Sequence, residues 1–180
     1  MYKIACSIEG IAPLLQNRHP FPEELEKVNR DKREDYDYEI AKYQLEDGRL
    51  YQPAEHLVAS MTKAAVYFQI EGKGKKTYKD SVKASIFIDP EKILHKNQAY
   101  EKYRAFVTIN RASVVKSRPM LNNWSLDFTI IVVDNQFPAS VVENILKYAG
   151  AGVGIGDYRP RFGRFKVTDF QVQKNGDVNG

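Results

Sequence analysis

The densest collection of chemically able residues falls between Ala149 and Phe165, in the run Ala149-Gly150-Ala151-Gly152-Val153-Gly154-Ile155-Gly156-Asp157-Tyr158-Arg159-Pro160-Arg161-Phe162-Gly163-Arg164-Phe165. Glycine lets a backbone take φ > 0 and lets a ligand come close to the main chain. Successive free N–H groups in such a loop can form a concave site for anions. Arg159, Arg161 and Arg164 add positive charge, and Tyr158, Phe162 and Phe165 add flat apolar surface. Phosphates and bases presented together ask for that mixture. The plainer alternative is a flexible connection whose glycines serve only tight packing.

Two nucleotide-cofactor readings are excluded by context. A dinucleotide fingerprint needs its glycines after a strand and at the start of a helix, and here they follow a helix and precede a strand. A phosphate-cradling P-loop needs Gly-Lys-Ser or Gly-Lys-Thr, which the chain lacks. Of the histidines at 19, 56 and 95, none shares a metal-ligand spacing with another or with Cys6. Asp35, Asp37 and Asp47 could meet only in a folded insertion. No cofactor and no metal is expected. His19, beside Arg18 in the segment after the first strand, is the one histidine placed as a catalytic group would be; a lone histidine without a located partner is weak ground for acid–base chemistry.

The elements that must position these groups can be read from periodicity. Tyr2, Ile4, Cys6 and Ile8 alternate with Lys3, Ala5 and Ser7, which predicts a half-buried strand ended by Gly10. Cys6 falls on its apolar face, where a thiol acts as a small core side chain. From Ile11 to about Asp37 prolines give way to the mixed-charge run from Glu23 to Asp35, a solvated helix or mobile insertion. Asp47-Gly48 between apolar flanks predicts a hairpin over Tyr43–Tyr51.

After Pro53, apolar residues at Ala54, Leu57, Val58, Met61, Ala64, Ala65 and Phe68 mark one buried face of a helix. Its other side presents His56, Ser60, Lys63 and Tyr67 as one row, either a wet face or a ligand-facing one. The stretch Gly72–Lys83 reads as a flexible basic loop, attractive to polyanions or simply solubilising. A short strand over Ala84–Ile88 ends at Asp89-Pro90.

Residues 102–126 contain no acid but hold Lys102, Arg104, Arg111, Lys116 and Arg118. Alternation over Ala105–Asn110, continued by Val114 and Val115 and stopped by Pro119, then resumes over Trp124–Val133 after Asn122 and Asn123. This predicts a long hairpin with a basic tip. Pro138 and the capping-box pattern Ser140-Val141-Val142-Glu143 announce a second helix, with Val141, Val142, Ile145, Leu146 and Ala149 inward and Gly150 at its end. The glycine loop, a closing strand over Arg164–Gln173 and a fraying polar tail follow.

Strand, helix, strand, strand, helix, strand is the split βαβ order of an α+β, ferredoxin-like βαββαβ core. The 180 residues read as one domain, 1–180, with insertions at about 11–52 and 71–100 and a long β-hairpin. One cysteine permits no internal disulfide, no apolar run is long enough to cross a bilayer, and no signal peptide is seen, so an intracellular, cytoplasmic setting without a membrane partner is expected. The net charge of +4 bears on partners only through its distribution. RNA-recognition modules stack bases on the free face of such a sheet, but their aromatic signature, with a basic residue and glycine leading into it, is not obvious here.

The ferredoxin-like order, the hairpin, an insertion after the first helix, and Gly154-Ile155-Gly156 followed after six residues by Gly163-Arg164-Phe165 resemble the RAMP superfamily of CRISPR-associated RNA-binding proteins. The family pattern often ends in a third glycine where Phe165 stands. The resemblance covers the order of elements over most of the chain, while its specific residues come from the last fifth. It implies a loop laid against an RNA backbone, contacted by Gly154, Gly156, Arg159, Arg161 and Arg164, with Lys63 on the first helix and Arg111, Lys116 and Arg118 on the hairpin as further candidates; Tyr158 adds a stacking surface. Backbone subunits of that superfamily coat guide RNA as a filament, using the hairpin as a thumb.

The leading expectation is therefore a non-enzymatic binder of single-stranded RNA or DNA, with self-assembly or CRISPR-type effector subunits as partners. Two alternatives stand beside it. One is a metal-independent endoribonuclease in which His19 moves a proton and Lys63 or Arg161 stabilises charge. The other is a protein that binds or inhibits a protein assembly through exposed Tyr, Phe and Arg.

Overall fold

The computed structural model describes residues 1–25, 38–109 and 111–173. Most of the mixed-charge run, the carboxylates of Asp35 and Asp37, and the polar tail lie outside the described residues. In chain order the elements are β1 (Tyr2–Gly10), β2 (Leu14–Leu15), a short helical turn Pro22–Leu25, β3 (Tyr51–Pro53), α1 (Ala54–Ala64), α2 (Lys79–Ser85), β4 (Ile86–Asp89), β5 (Lys92–Leu94), β6 (Glu101–Ile109), β7 (Ala112–Leu121), β8 (Ser125–Val132), α3 (Ala139–Tyr148) and β9 (Phe165–Gln173).

The central sheet has the order β4-β8-β1-β9, with antiparallel neighbours. Two strands that flank α1 in sequence, β1 and β4, are thus separated by β8, and the two that flank α3, β8 and β9, are separated by β1. This is the ferredoxin-like arrangement, so the α+β class read from the order of elements holds. Ile4, Cys6 and Ile8 of β1 and Leu126, Phe128, Ile130 and Val132 of β8 bury one face of the sheet in a common core with Leu57 and Met61 of α1 and Val142, Ile145 and Leu146 of α3. Burying each large side chain contributes about 1.5–3 kcal/mol. Burial pushes the Cys6 thiol up to about 12, with Asp169 and Glu143 adding to the effect, so it remains a neutral core group. Among the described residues no helix is long and apolar enough to cross a membrane.

The face away from the helices carries Lys3, Ser7 and Glu9 of β1, Asp127 of β8, Asp89 of β4 and Asp169 and Lys166 of β9. Ser7 Oγ donates to Asp127 Oδ1 at 2.7 Å, and Lys96 pairs with the same carboxylate. Phe87 is the one aromatic ring on that face among the described residues. A polyanion would meet more acid than base there, so base stacking on the open sheet is not what this surface offers.

Several local expectations are corrected. The long hairpin is β6–β7, in the register Tyr103↔Arg118 and Ala105↔Lys116, turning near Arg111 at φ 66. Trp124–Val133 does not form its second arm; it enters the central sheet as β8. Alternation reports which faces are apolar and not which strand is the partner. Pro119 does not stop the strand either. It lies inside β7 opposite Lys102, and its carbonyl accepts from the Gln16 N–H at 3.1 Å.

The helix ends also differ. α3 starts at Ala139 behind Pro138, whose extended ψ of 131–135° is shared with Pro53 at the start of α1. Ser140 is already helical and caps nothing with its side chain. Gly150 does not end the coil: a wider turn continues over Ala149–Val153. The end of the expected basic loop and the first two residues of the expected strand, Lys79–Ser85, are helical, held by Val82 buried in the core, and the strand begins at Ile86. The Asp47-Gly48 turn forms, with Leu45 N–H donating to Arg49 O at 2.9 Å and Gly48 at φ 89.

Candidate nucleic-acid interface

The glycine loop is anchored to the segment after β1, and its glycines do serve tight packing there. The Asp157 N–H donates to Leu15 O at 2.9 Å, the Gly163 N–H to Pro13 O at 2.7 Å, and the Ile155 N–H to Gly163 O at 2.9 Å. Ile155 is fully buried and Phe162 nearly so. At Gly156, with φ 78, an added Cβ would stand 2.5 Å from both Leu14 Cδ1 and Leu15 O. At Gly163, with φ 71, it would fall well inside contact with the Ile155 carbonyl. The protein's own backbone demands these glycines.

So fixed, the loop presents its second half outward. Tyr158, a non-glycine residue in the left-handed region at φ 52, is exposed, as are Arg159, Pro160 and Arg161. Such conformations persist only where surrounding structure holds them. Across from this edge stands α1. Lys63 and Tyr67 from the α1 side and Gly152, Val153, Gly156, Asp157, Tyr158, Arg159 and Pro160 from the loop line one cleft of about 430 Å³. Tyr67 is exposed and leans on Tyr148, ring centroids 4.9 Å apart. Among the described residues neither Lys63 nor Arg159 has a salt-bridge partner.

The predicted row on α1 is only partly a row. Lys63 and Tyr67 face the cleft, but Ser60 is fully buried and its hydroxyl has no hydrogen-bond partner among the described residues. His56 is half-buried, with Nδ1 2.5 Å from Gln52 Nε2 and its ring edge-on to Tyr43 at 5.4 Å. Burial, and then the charge of Arg159, push its imidazole below the ordinary value.

The remaining predicted residues divide. Arg161 lies with Tyr158 and Arg159 in a second cleft against the hairpin. Arg118 is mostly buried; its Nε is 3.1 Å from Asp157 Oδ2 and its NH1 donates to Ser117 O. Lys116 is half-buried on the same face of β7. Arg111 is exposed at the hairpin tip, Gly154 is buried, and Arg164 is exposed with its carbonyl taken by the Ile11 and Ala12 N–H groups. These last three line neither cleft. Of the aromatic residues at the two clefts, Phe162 is marked in the sequence by the composition of the loop and Tyr67 by its four-residue step from Lys63, while nothing in the sequence marks Tyr103.

His19 is exposed, and among the described residues its imidazole makes no hydrogen bond or ion pair. Its neighbour Arg18 is committed to Glu24, at 2.6 and 3.1 Å, and to Ile40 O. Asp47 pairs with Arg49, and among the described residues no three His, Cys, Asp or Glu side chains come together as metal ligands would.

No protein-family model and no curated protein sequence matches this chain. A chain of the cryo-EM structure of the Type III-B Cmr-beta bound to cognate target RNA has a similar fold, with a TM-score of 0.64 at 10% sequence identity. The match covers 96% of this chain and 61% of that one, so this chain spans about three fifths of its length.

Proposed function

We propose that this chain binds single-stranded RNA by its phosphate backbone, as a RAMP-type subunit of a CRISPR-like effector assembly, and catalyses no reaction itself. The observation that carries the reading is the meeting of Lys63 and Arg159 across one cleft, beside the exposed rings of Tyr67 and Tyr158. Two cations that make no ion pair among the described residues, at an anchored backbone edge, attract consecutive phosphates, and release of condensed counterions drives the association. The fold shared with a chain of an RNA-bound Cmr-beta structure supports the choice of RNA. The open sheet face, with its carboxylates, directs the strand to the helix-and-loop side instead. Exposed His19, lacking a partner among the described residues, favours binding over cleavage.

The test is fluorescence anisotropy with labelled single-stranded RNA, single-stranded DNA and duplex DNA, for wild type and for Lys63→Ala/Arg159→Ala. Salt-sensitive binding to the single-stranded RNA, lost in the double variant while the RNA stays intact, supports the reading. Absence of binding at low salt, or binding untouched by the double variant, overturns it.

A further inference from the structure

Between β6 and the glycine loop lies a second cleft, of about 390 Å³, which shares Tyr158 and Arg159 with the first. Its chemistry is different. Phe162 forms a floor, only 9% exposed, with Tyr103 edge-on to it at 5.2 Å and Tyr158 tilted over it at 6.4 Å. The Arg161 guanidinium lies 5.8 Å from the same ring centre. On the hairpin side Ala105 contributes a single methyl between Tyr103 and Val107, which is why space remains there, and among the described residues no carboxylate lines the cleft.

We infer that this second cleft takes one unpaired nucleobase of the strand whose phosphates lie at Lys63 and Arg159; the inference rests on the RNA-binding reading. Aromatic rings and a guanidinium plane offer stacking surfaces to any base, because every base has a π face. Arg159 and Arg161 at the cleft's edge would attract a phosphate, but its walls of Tyr103, Val107 and Phe162 offer apolar and aromatic surface that suits a base. The two clefts join at Tyr158–Arg159, as a base joins its own backbone. A paired base hides its faces in the stack, so an occupied cleft also selects single strands over duplex.

The experiment compares a labelled uridine oligomer with a ribose–phosphate oligomer of equal length that lacks bases, on wild type and on Ala105→Leu, which fills the cleft and keeps every charge. Wild type is expected to bind the base-free oligomer roughly tenfold more weakly, the scale of one stacked base. Ala105→Leu is expected to bind both oligomers as wild type binds the base-free one. Equal affinity of wild type for the two oligomers, with salt-sensitive binding retained, overturns the base site and leaves the phosphate reading standing. A base dependence undiminished in Ala105→Leu overturns it as well. Failure of wild type to bind either oligomer overturns both. Should Ala105→Leu not fold, Tyr158→Asn removes a stacking ring with a residue that tolerates left-handed φ, and the same two-oligomer comparison decides.

Discussion

Arg118 Nε, on the β7 arm of the hairpin, lies 3.1 Å from Asp157 Oδ2 in the glycine loop. With the two side chains only 14% and 26% exposed, the pair ties the loop, one residue before Tyr158, to β7 opposite Tyr103 of β6. Arg118 is therefore first a tie between elements, and the cations that line the two clefts are Lys63, Arg159 and Arg161. Sequence marks all of these as basic and cannot say which are already spent.

Separating the two roles takes a pair of variants. Arg118→Ala and Asp157→Asn should each lower stability, by about 1–2 kcal/mol, since each strands a partly buried charged partner. They move net charge in opposite directions. If Arg118 acts as a tie, both variants weaken RNA binding through a displaced loop; if it acts as a phosphate contact, Asp157→Asn strengthens binding. Thermal melts and anisotropy on the same samples decide.

The phosphate cleft makes a numerical prediction about salt. Each phosphate neutralised on a single strand contributes a slope of about 0.7 in log affinity against log salt. Lys63→Ala/Arg159→Ala should flatten the slope by about 1.4, and Arg111→Ala, at the hairpin tip outside both clefts, should change it little. An equal flattening by Arg111→Ala would move the strand onto the hairpin tip.

How far the chain could be read in advance follows from what each signal encodes. The alternation of Tyr2–Ile8 and the apolar steps of Ala54–Ala65 carry their own faces, and both proved to be core. The glycine–arginine loop could be recognised because its composition is unusual wherever it folds. Strand partnership was not legible: Ala105–Val115 and Trp124–Val133 alternate equally well, and only tertiary packing sends the second into the central sheet. α2 escaped notice because a seven-residue helix with one buried valine leaves no periodicity. Ser60 falls on the polar side of the row, yet it is buried and, among the described residues, without a hydrogen-bond partner. The aromatic cleft needed Tyr103 and Phe162 side by side, and nothing local links residues so far apart in sequence.

The loop's rigidity can be tested at its glycines. Gly163→Ala forces a Cβ into the Ile155 carbonyl at φ 71, and Gly10→Ala forces one into the Trp124 indole, whose Nε1–H donates to Ala12 O at 2.9 Å. Overpacking of this kind costs roughly 1–3 kcal/mol or more. Gly72→Ala has the same left-handed backbone, φ 72, with open space around it, and should cost only about 1 kcal/mol. Denaturant midpoints that place Gly163→Ala level with Gly72→Ala would show the loop to be free to shift.

A last prediction concerns acid. His95 is 2% exposed, edge-on to Trp124, with Nε2 3.4 Å from Gln16 Nε2 and with Nδ1 unpartnered among the described residues. Burial lowers its pKa to about 4 from an ordinary 6.5. The unfolded chain therefore takes up a proton below about 6.5 that the folded chain refuses until about 4, and stability falls with pH across that window. Between pH 7.5 and pH 5 this one group should remove about 2 kcal/mol. Carboxylates titrate nearby in pH, so the comparison is with His95→Gln, which keeps a polar side chain beside Gln16 and carries no titrating group. Urea unfolding at the two values should show wild type losing about 2 kcal/mol more than His95→Gln. Equal losses would mean that the imidazole is protonated in the folded protein as readily as in water, and that burial does not control its charge.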